Sequence, residues 1–275
     1  MFLKQSGERP LLKAMLSIGV NDLKSQSHGE VGMEDTATIS QDEAMAALLA
    51  RNPAQPRDEP EVAANIGVQL KHMELQSPSL SIRRRIRDIC ARLQPTGVIE
   101  VGAGIGHLSS WLLDLWQRED ERPSSYELVE AGPKFGVILK RLLQRYSKVT
   151  GARVVVGKFE QLAAEATAWN AASSSISTQS AEASLGEAPF HLPADLVIVD
   201  VGESGLSNCI RAALPLLSNN GWLLTIEPEV PAEDETDQDK IEAFQEWIDL
   251  VKDVSQNRRM AFQPLTGGTI VAIGN

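Results

Sequence analysis

Residues 98–113 read Val-Ile-Glu-Val-Gly-Ala-Gly-Ile-Gly-His-Leu-Ser-Ser-Trp-Leu-Leu, and few folds accommodate such a run. Val98, Ile99 and Val101 are β-branched and apolar, as suits a strand buried on both faces. Gly102, Gly104 and Gly106, separated by Ala103 and Ile105, then make a tight turn, where a missing Cβ lets the backbone approach a ligand. From Leu108, apolar residues recur at Trp111, Leu112 and Leu115, the spacing of a helix. Strand, glycine turn and helix in this order build a nucleotide pocket at the carboxyl ends of parallel strands.

The spacing of the glycines narrows the ligand. A dinucleotide fingerprint needs G-x-G-x-x-G, but His107 stands where its third glycine belongs. The E-V-G-A-G-I-G run, an acid two residues before G-x-G-x-G, resembles the first motif of class I S-adenosylmethionine (SAM)-dependent methyltransferases. The resemblance implies that Gly102, Gly104 and Gly106 pass under the methionine part of SAM. It also implies that Glu100 orients the strand end and the SAM amino group. A pyrophosphate wants exposed N–H groups and positive potential, whereas a cationic sulfonium tolerates carboxylates nearby. Glu100 therefore favours SAM over NAD.

The 275 residues suffice for one α/β domain with an appendage. A net charge of −11 argues against a nucleic-acid partner, which would need clustered Lys and Arg. It fits a small-molecule acceptor and leaves a homodimer open. Two cysteines, Cys90 and Cys209, and four scattered histidines make neither a disulfide framework nor a zinc site. No apolar run reaches membrane-spanning length. Glu8 and Lys13 spoil the N-terminal apolar stretch as a signal peptide, so a cytoplasmic location is expected.

In chain order, residues 1–58 read as a flexible tail with one short helix near 41–51, and 59–275 as the domain. Val62, Ile66, Leu70 and Met73 predict a helix across the mouth of the pocket. A second helix has Ile82, Ile86, Ile89, Cys90 and Leu93 on one face. Its other face carries Arg83, Arg84, Arg85, Arg87 and Arg92 and reads as solvated, a patch for a substrate carboxylate or phosphate being the alternative. Tyr126–Glu130 predicts a second strand, whose terminal Glu130 is placed to accept both ribose hydroxyls. The third strand, Arg153–Val156, leads into Gly157-Lys158-Phe159. Many methyltransferases have an acid just after that glycine, for the adenine amino group; here Lys158 can only donate. Adenine is then expected on backbone groups and apolar contact around Phe159. Residues 167–188, rich in Ala, Ser and Thr, read as a low-complexity surface insertion. A fourth strand ends at Asp200, a fifth runs from Trp222 to Ile226, an acidic helix follows at 238–254, and a pair of strands closes the chain.

Over residues 66–275 the order of parts resembles the catechol-type, cation-dependent small-molecule O-methyltransferases. Phe262-Gln263-Pro264-Leu265-Thr266-Gly267-Gly268 resembles that family's closing L-P-x-G-D-G-L, and the fifth strand its G-G-L-x-x-x-D-N. The resemblance implies an α/β, Rossmann-like sheet of seven strands with the last antiparallel, flanked by helices. It also implies methyl transfer from SAM to a hydroxyl, with Asp200 or Glu203 taking the proton and Asp200 alternatively orienting SAM. The family's divalent cation, magnesium, would fall to Asp200 and Glu227, but Pro228 replaces one ligand and Glu203 the family's lysine. The metal is left open. Methylation of a nitrogen or a protein side chain, and SAM binding without turnover, are the competing readings. The N-P-P-Y motif of the former is absent after the fourth strand, where Asp200-Val201-Gly202-Glu203 stands.

Overall fold

The computed structural model describes residues 41–120, 122–175 and 187–275. By its internal contacts the chain divides between Leu48 and Leu49. Residues 41–48 of helix α1 (Gln41–Leu49) are the described part of the first unit, where the sequence predicts a short helix. The rest of the tail, 1–40, lies outside the described residues.

The second unit is built on a seven-stranded sheet. Its strands are β1 (Gly97–Val101), β2 (Ser125–Glu130), β3 (Ala152–Val156), β4 (Ala194–Val199), β5 (Leu217–Ile226), β6 (Arg259–Leu265) and β7 (Gly268–Gly274). They lie in the order β3-β2-β1-β4-β5-β7-β6. The first five are parallel neighbours, while β7 runs antiparallel between β5 and β6. Every residue of β1 is buried, as its uninterrupted apolar run requires. The chain order reverses between β1 and β4, so ligands are met at the carboxyl end of β1, where the glycines follow.

Helices α2 (Glu61–His72), α3 (Leu80–Leu93) and α4 (His107–Arg118) pack together. Helix α5 (Pro133–Leu143) joins their side through Leu139 and Leu142, which meet Gly106. On the other face, α6 (Phe159–Ser175), α7 (Glu203–Ala213) and α8 (Gln238–Val254) close a core in which Ile99, Val101, Val197, Val199, Leu223 and Val271 are buried. Burying each such side chain contributes about 1.5–3 kcal/mol.

Three expectations change. The arginine face of α3 is not solvated. Arg83 and Arg87 are buried, and Arg87 sits over the Trp111 ring at 5.3 Å while bonding Asp88 at 2.8 Å. The cause is the segment before α2, which covers this helix: Arg85 donates to the Leu49 carbonyl at 2.5 Å, and Asp88 accepts from the Asn52 N–H at 3.0 Å. For the same reason residues 49–58 belong with the sheet domain and not with the tail. The stretch read as an insertion begins as helix: α6 continues through 167–175 on alanine propensity. Thr167 bonds the Ala163 carbonyl at 2.9 Å, and Ser174 that of Asn170 at 2.8 Å. Residues 176–186 lie outside the described residues.

Candidate active site

The turn after β1 shows why its three glycines differ. All have positive φ, +83° at Gly102, +56° at Gly104 and +89° at Gly106. A Cβ at Gly102 would collide with the Asp200 carbonyl, and one at Gly106 with Leu142. Those two let backbone and helix pack. At Gly104 the nearest atom to such a Cβ is the Gly102 carbonyl oxygen, 3.9 Å away, so its outer face is open. This is the position where a ligand can lie against bare backbone.

Glu130, at the end of β2, fixes that turn. One carboxylate oxygen accepts the Gly104 N–H at 2.9 Å, and the other the Gly132 N–H at 2.8 Å. Its carbonyl accepts the Gly157 N–H at 3.0 Å. A single acid therefore ties together the ends of β1, β2 and β3. A carboxylate has about four lone-pair sites, so two remain for further donors.

Glu100 lies deeper, 1 % exposed. It accepts from Ser109 of α4 at 2.9 Å and from the Tyr126 hydroxyl. Burial pushes its carboxyl up to about 7, these two hydrogen bonds pull it down, and the charge of Asp200 raises it. Its partners among the described residues are thus Ser109 of α4 and Tyr126 of β2.

Asp200 follows β4 and is tied to β1 by its N–H to the Val101 carbonyl at 2.9 Å. Burial lifts its carboxyl to about 7, and the Arg83 guanidinium opposes this. Arg83 also pairs with Glu59 at 3.0 Å and donates to the Pro78 carbonyl. His107 opens α4. Its Nδ1 is 2.8 Å from Ser77 Oγ, and its Nε2 is 3.7 Å from Glu59. Burial first, then the Arg83 charge, lower its pKa to about 4, so the ring is neutral near pH 7. Glu59, Arg83 and His107 line a cleft of about 620 Å³, roofed by Gly67, Val68 and Lys71 of α2. That volume suits a small molecule.

Sequence reasoning missed these three residues. One signal was present: Arg83, Arg87 and Cys90 follow i, i+4, i+7 and share a buried stripe. His107 was noticed only as the residue that breaks a dinucleotide fingerprint.

The remaining candidates stand apart. Glu203, the first residue of α7, accepts the Glu229 N–H at 3.1 Å. The Glu227 N–H pairs with Thr269 at 2.9 Å. Among the described residues no three His, Cys, Asp or Glu side chains come together to hold a metal ion. Asp200, Glu203 and Glu227 thus form no three-carboxylate cluster. Lys158 is exposed, and its carbonyl accepts the Leu162 N–H at 3.1 Å. Phe159 is 4 % exposed, its ring 5.9 Å from that of Phe190 in the core.

No family model matches the sequence, and no curated protein matches it. Solved structures do. The O-methyltransferase TomG from Streptomyces achromogenes, in complex with SAM, superposes with a TM-score of 0.56 at 15% identity, over 79% of this chain and 91% of that one. A putative caffeoyl-CoA O-methyltransferase from Staphylococcus aureus gives 0.57 at 13% identity, over 78% and 93%. The SAH-bound methyltransferase PaMTH1 from Podospora anserina gives 0.57 at 14% identity, over 90% and 99%. The chain has the class I methyltransferase fold. In that fold the turn at Gly104 and the acid at Glu130 stand at the carboxyl edge of the sheet, and His107, three residues beyond Gly104, lines the cleft.

Proposed function

We propose that this protein is a SAM-dependent methyltransferase acting on a hydroxyl of a small molecule. The observation that carries the reading is the joint geometry of Gly104 and Glu130: an open glycine face, with a carboxylate clamped beside it that still has acceptor capacity. The similar structures with SAM or its demethylated product, SAH, bound support it. When bound, SAM supplies an activated methyl group on a sulfonium. The chain then has to bind, align and desolvate.

In this reading the Gly102–Gly106 turn carries the methionine part, and Glu130 accepts the ribose hydroxyls with its free lone pairs. Backbone at Lys158 and Phe159 meets the base, since the Phe159 ring is packed inside. The cleft under α2 takes the acceptor. Asp200 holds or releases a proton near pH 7, which suits a group that accepts one from a hydroxyl. Arg83 stabilises its charged form, and Glu203 accepts the Glu229 N–H in the loop beyond β5.

Calorimetry with SAM, SAH and NAD is the direct test, followed by labelled methyl transfer to a panel of hydroxylated acceptors with and without magnesium. SAH should bind, NAD should not, and transfer should be independent of magnesium. Tighter binding of NAD than SAH would overturn the reading.

A further inference from the structure

A second cavity, about 240 Å³, lies along α3 and is unlike anything the methyl-transfer reading needs. Five guanidinium groups line it, those of Arg51, Arg57, Arg84, Arg85 and Arg87, against one carboxylate, Asp88. In a chain whose net charge is −11 this is a strong local reversal.

Asp88 does not neutralise the pocket. One of its oxygens takes Arg87 Nε at 3.3 Å and Nη2 at 2.8 Å, and the other takes the Asn52 N–H at 3.0 Å. Arg87 is 2 % exposed, yet its Nη1 has no partner. Arg84 Nε is buried without one as well. Burial lowers the Arg85 pKa, the Asp88 charge opposes this and the Arg51 charge adds to it, while one of its N–H groups donates to the Leu49 carbonyl. Gln55 Oε1, also on the wall, is a buried acceptor with nothing to accept. A buried donor on a cation left unpaired costs its desolvation in full, and like charges converge only where something offsets them. An anion with several oxygens and a hydroxyl would supply partners for these groups.

We propose that this pocket binds a phosphate-bearing small molecule, a diphosphate or a phosphate monoester. Planar guanidinium groups match phosphate oxygens two bonds at a time. Arg87 is held rigid over Trp111 and against Asp88, so one cation is preorganised while exposed Arg51 and Arg57 close from the surface. Gln55 Oε1 receives the hydroxyl of the ester or of hydrogen phosphate. The cavity has room for about eight waters at about 30 Å³ each, enough for a diphosphate but not for a nucleic-acid strand.

The test is calorimetry on the full chain with inorganic pyrophosphate, with sulfate and chloride at matched ionic strength as comparators. Pyrophosphate should bind with one-to-one stoichiometry. Arg57→Gln and Arg84→Gln should each weaken it about tenfold, equivalent to about 1.4 kcal/mol. Arg87 is left alone because it also carries packing, and Arg57, on the surface, provides a variant that folds. SAH binding should be unchanged in both variants. The proposal is overturned if pyrophosphate does not bind, if both variants bind it as well as the parent, or if chloride or sulfate at equal ionic strength does the same. Joint loss of pyrophosphate and SAH binding would place the anion in the methyl-transfer cleft and also overturn it.

Discussion

Replacing Asp200 with Asn should make the protein more stable and less active, and the gain in stability should depend on pH. Burial raises the Asp200 carboxyl from 3.8 to about 7. Between those values the folded state holds a proton that the unfolded chain has released. Stability conferred by that proton is complete below about pH 4 and falls as pH rises through about 7. The amide of the Asp200→Asn variant carries no charge, so the variant lacks this slope. The rise from 3.8 to about 7 sets a ceiling of about 4 kcal/mol above pH 7. Asp200 keeps some solvent access, so about half of that, about 2 kcal/mol, is expected.

For a domain of this size each kcal/mol moves the melting temperature by about 2–4 °C. Asp200→Asn should therefore melt about 4–8 °C higher than the parent at pH 8 and within about 1 °C of it at pH 4. Turnover on a hydroxyl acceptor should fall by about 10²–10⁴, the usual contribution of a positioned base. Scanning calorimetry at the two pH values separates the possibilities. An equal gain at pH 4 and pH 8 would refute the argument, because a buried charge could not then be its cause.

Further outcomes follow from the same geometry. Gly104→Ala should fold at a cost of about 1–2 kcal/mol from its positive φ yet lose SAH binding, whereas Gly102→Ala should fail to fold, as shown by circular dichroism and calorimetry. Glu130→Ala should bind SAH about thirty- to a hundredfold more weakly, about 2–3 kcal/mol at 1.4 kcal/mol per tenfold, with Glu130→Gln in between. Glu127→Ala should leave SAH affinity intact but destabilise by about 1–3 kcal/mol, because Glu127 is fully buried against Arg153 at 3.4 Å and His191 at 2.5 Å. Arg83→Met should move the acid limb of the pH–rate profile upward, since Arg83 holds the Asp200 carboxyl down; an unmoved limb would show that another group governs it.

What the sequence made legible is what local pattern controls. The β-branched runs of β1 and β4 announced strands buried on both faces. The alternating glycines announced the turn, and Glu130 could be placed because an acid at a strand end needs only the strand to be right. Glu127, three residues earlier, looked like an ordinary strand residue. Its partners, Arg153 and His191, come from β3 and from the approach to β4, and no local pattern links them.

The arginines of α3 show the limit most clearly. Five cations on one helix read as a solvated face because an exposed helix is the usual place for charge. Whether they are exposed depends on residues 49–59, whose contacts reach back across two to three dozen positions and which carry no periodicity to announce that they will cover α3. Once that segment is in place, the same helix divides its charges. Arg83 turns to the cleft and moderates Asp200, while Arg84, Arg85 and Arg87 turn to the second cavity. The Thr266 carbonyl accepts from Ser79, on the cleft wall, and from Ser81, on the wall of the arginine pocket, each at 2.9 Å. One short turn of chain thus anchors both sides of the first turn of α3.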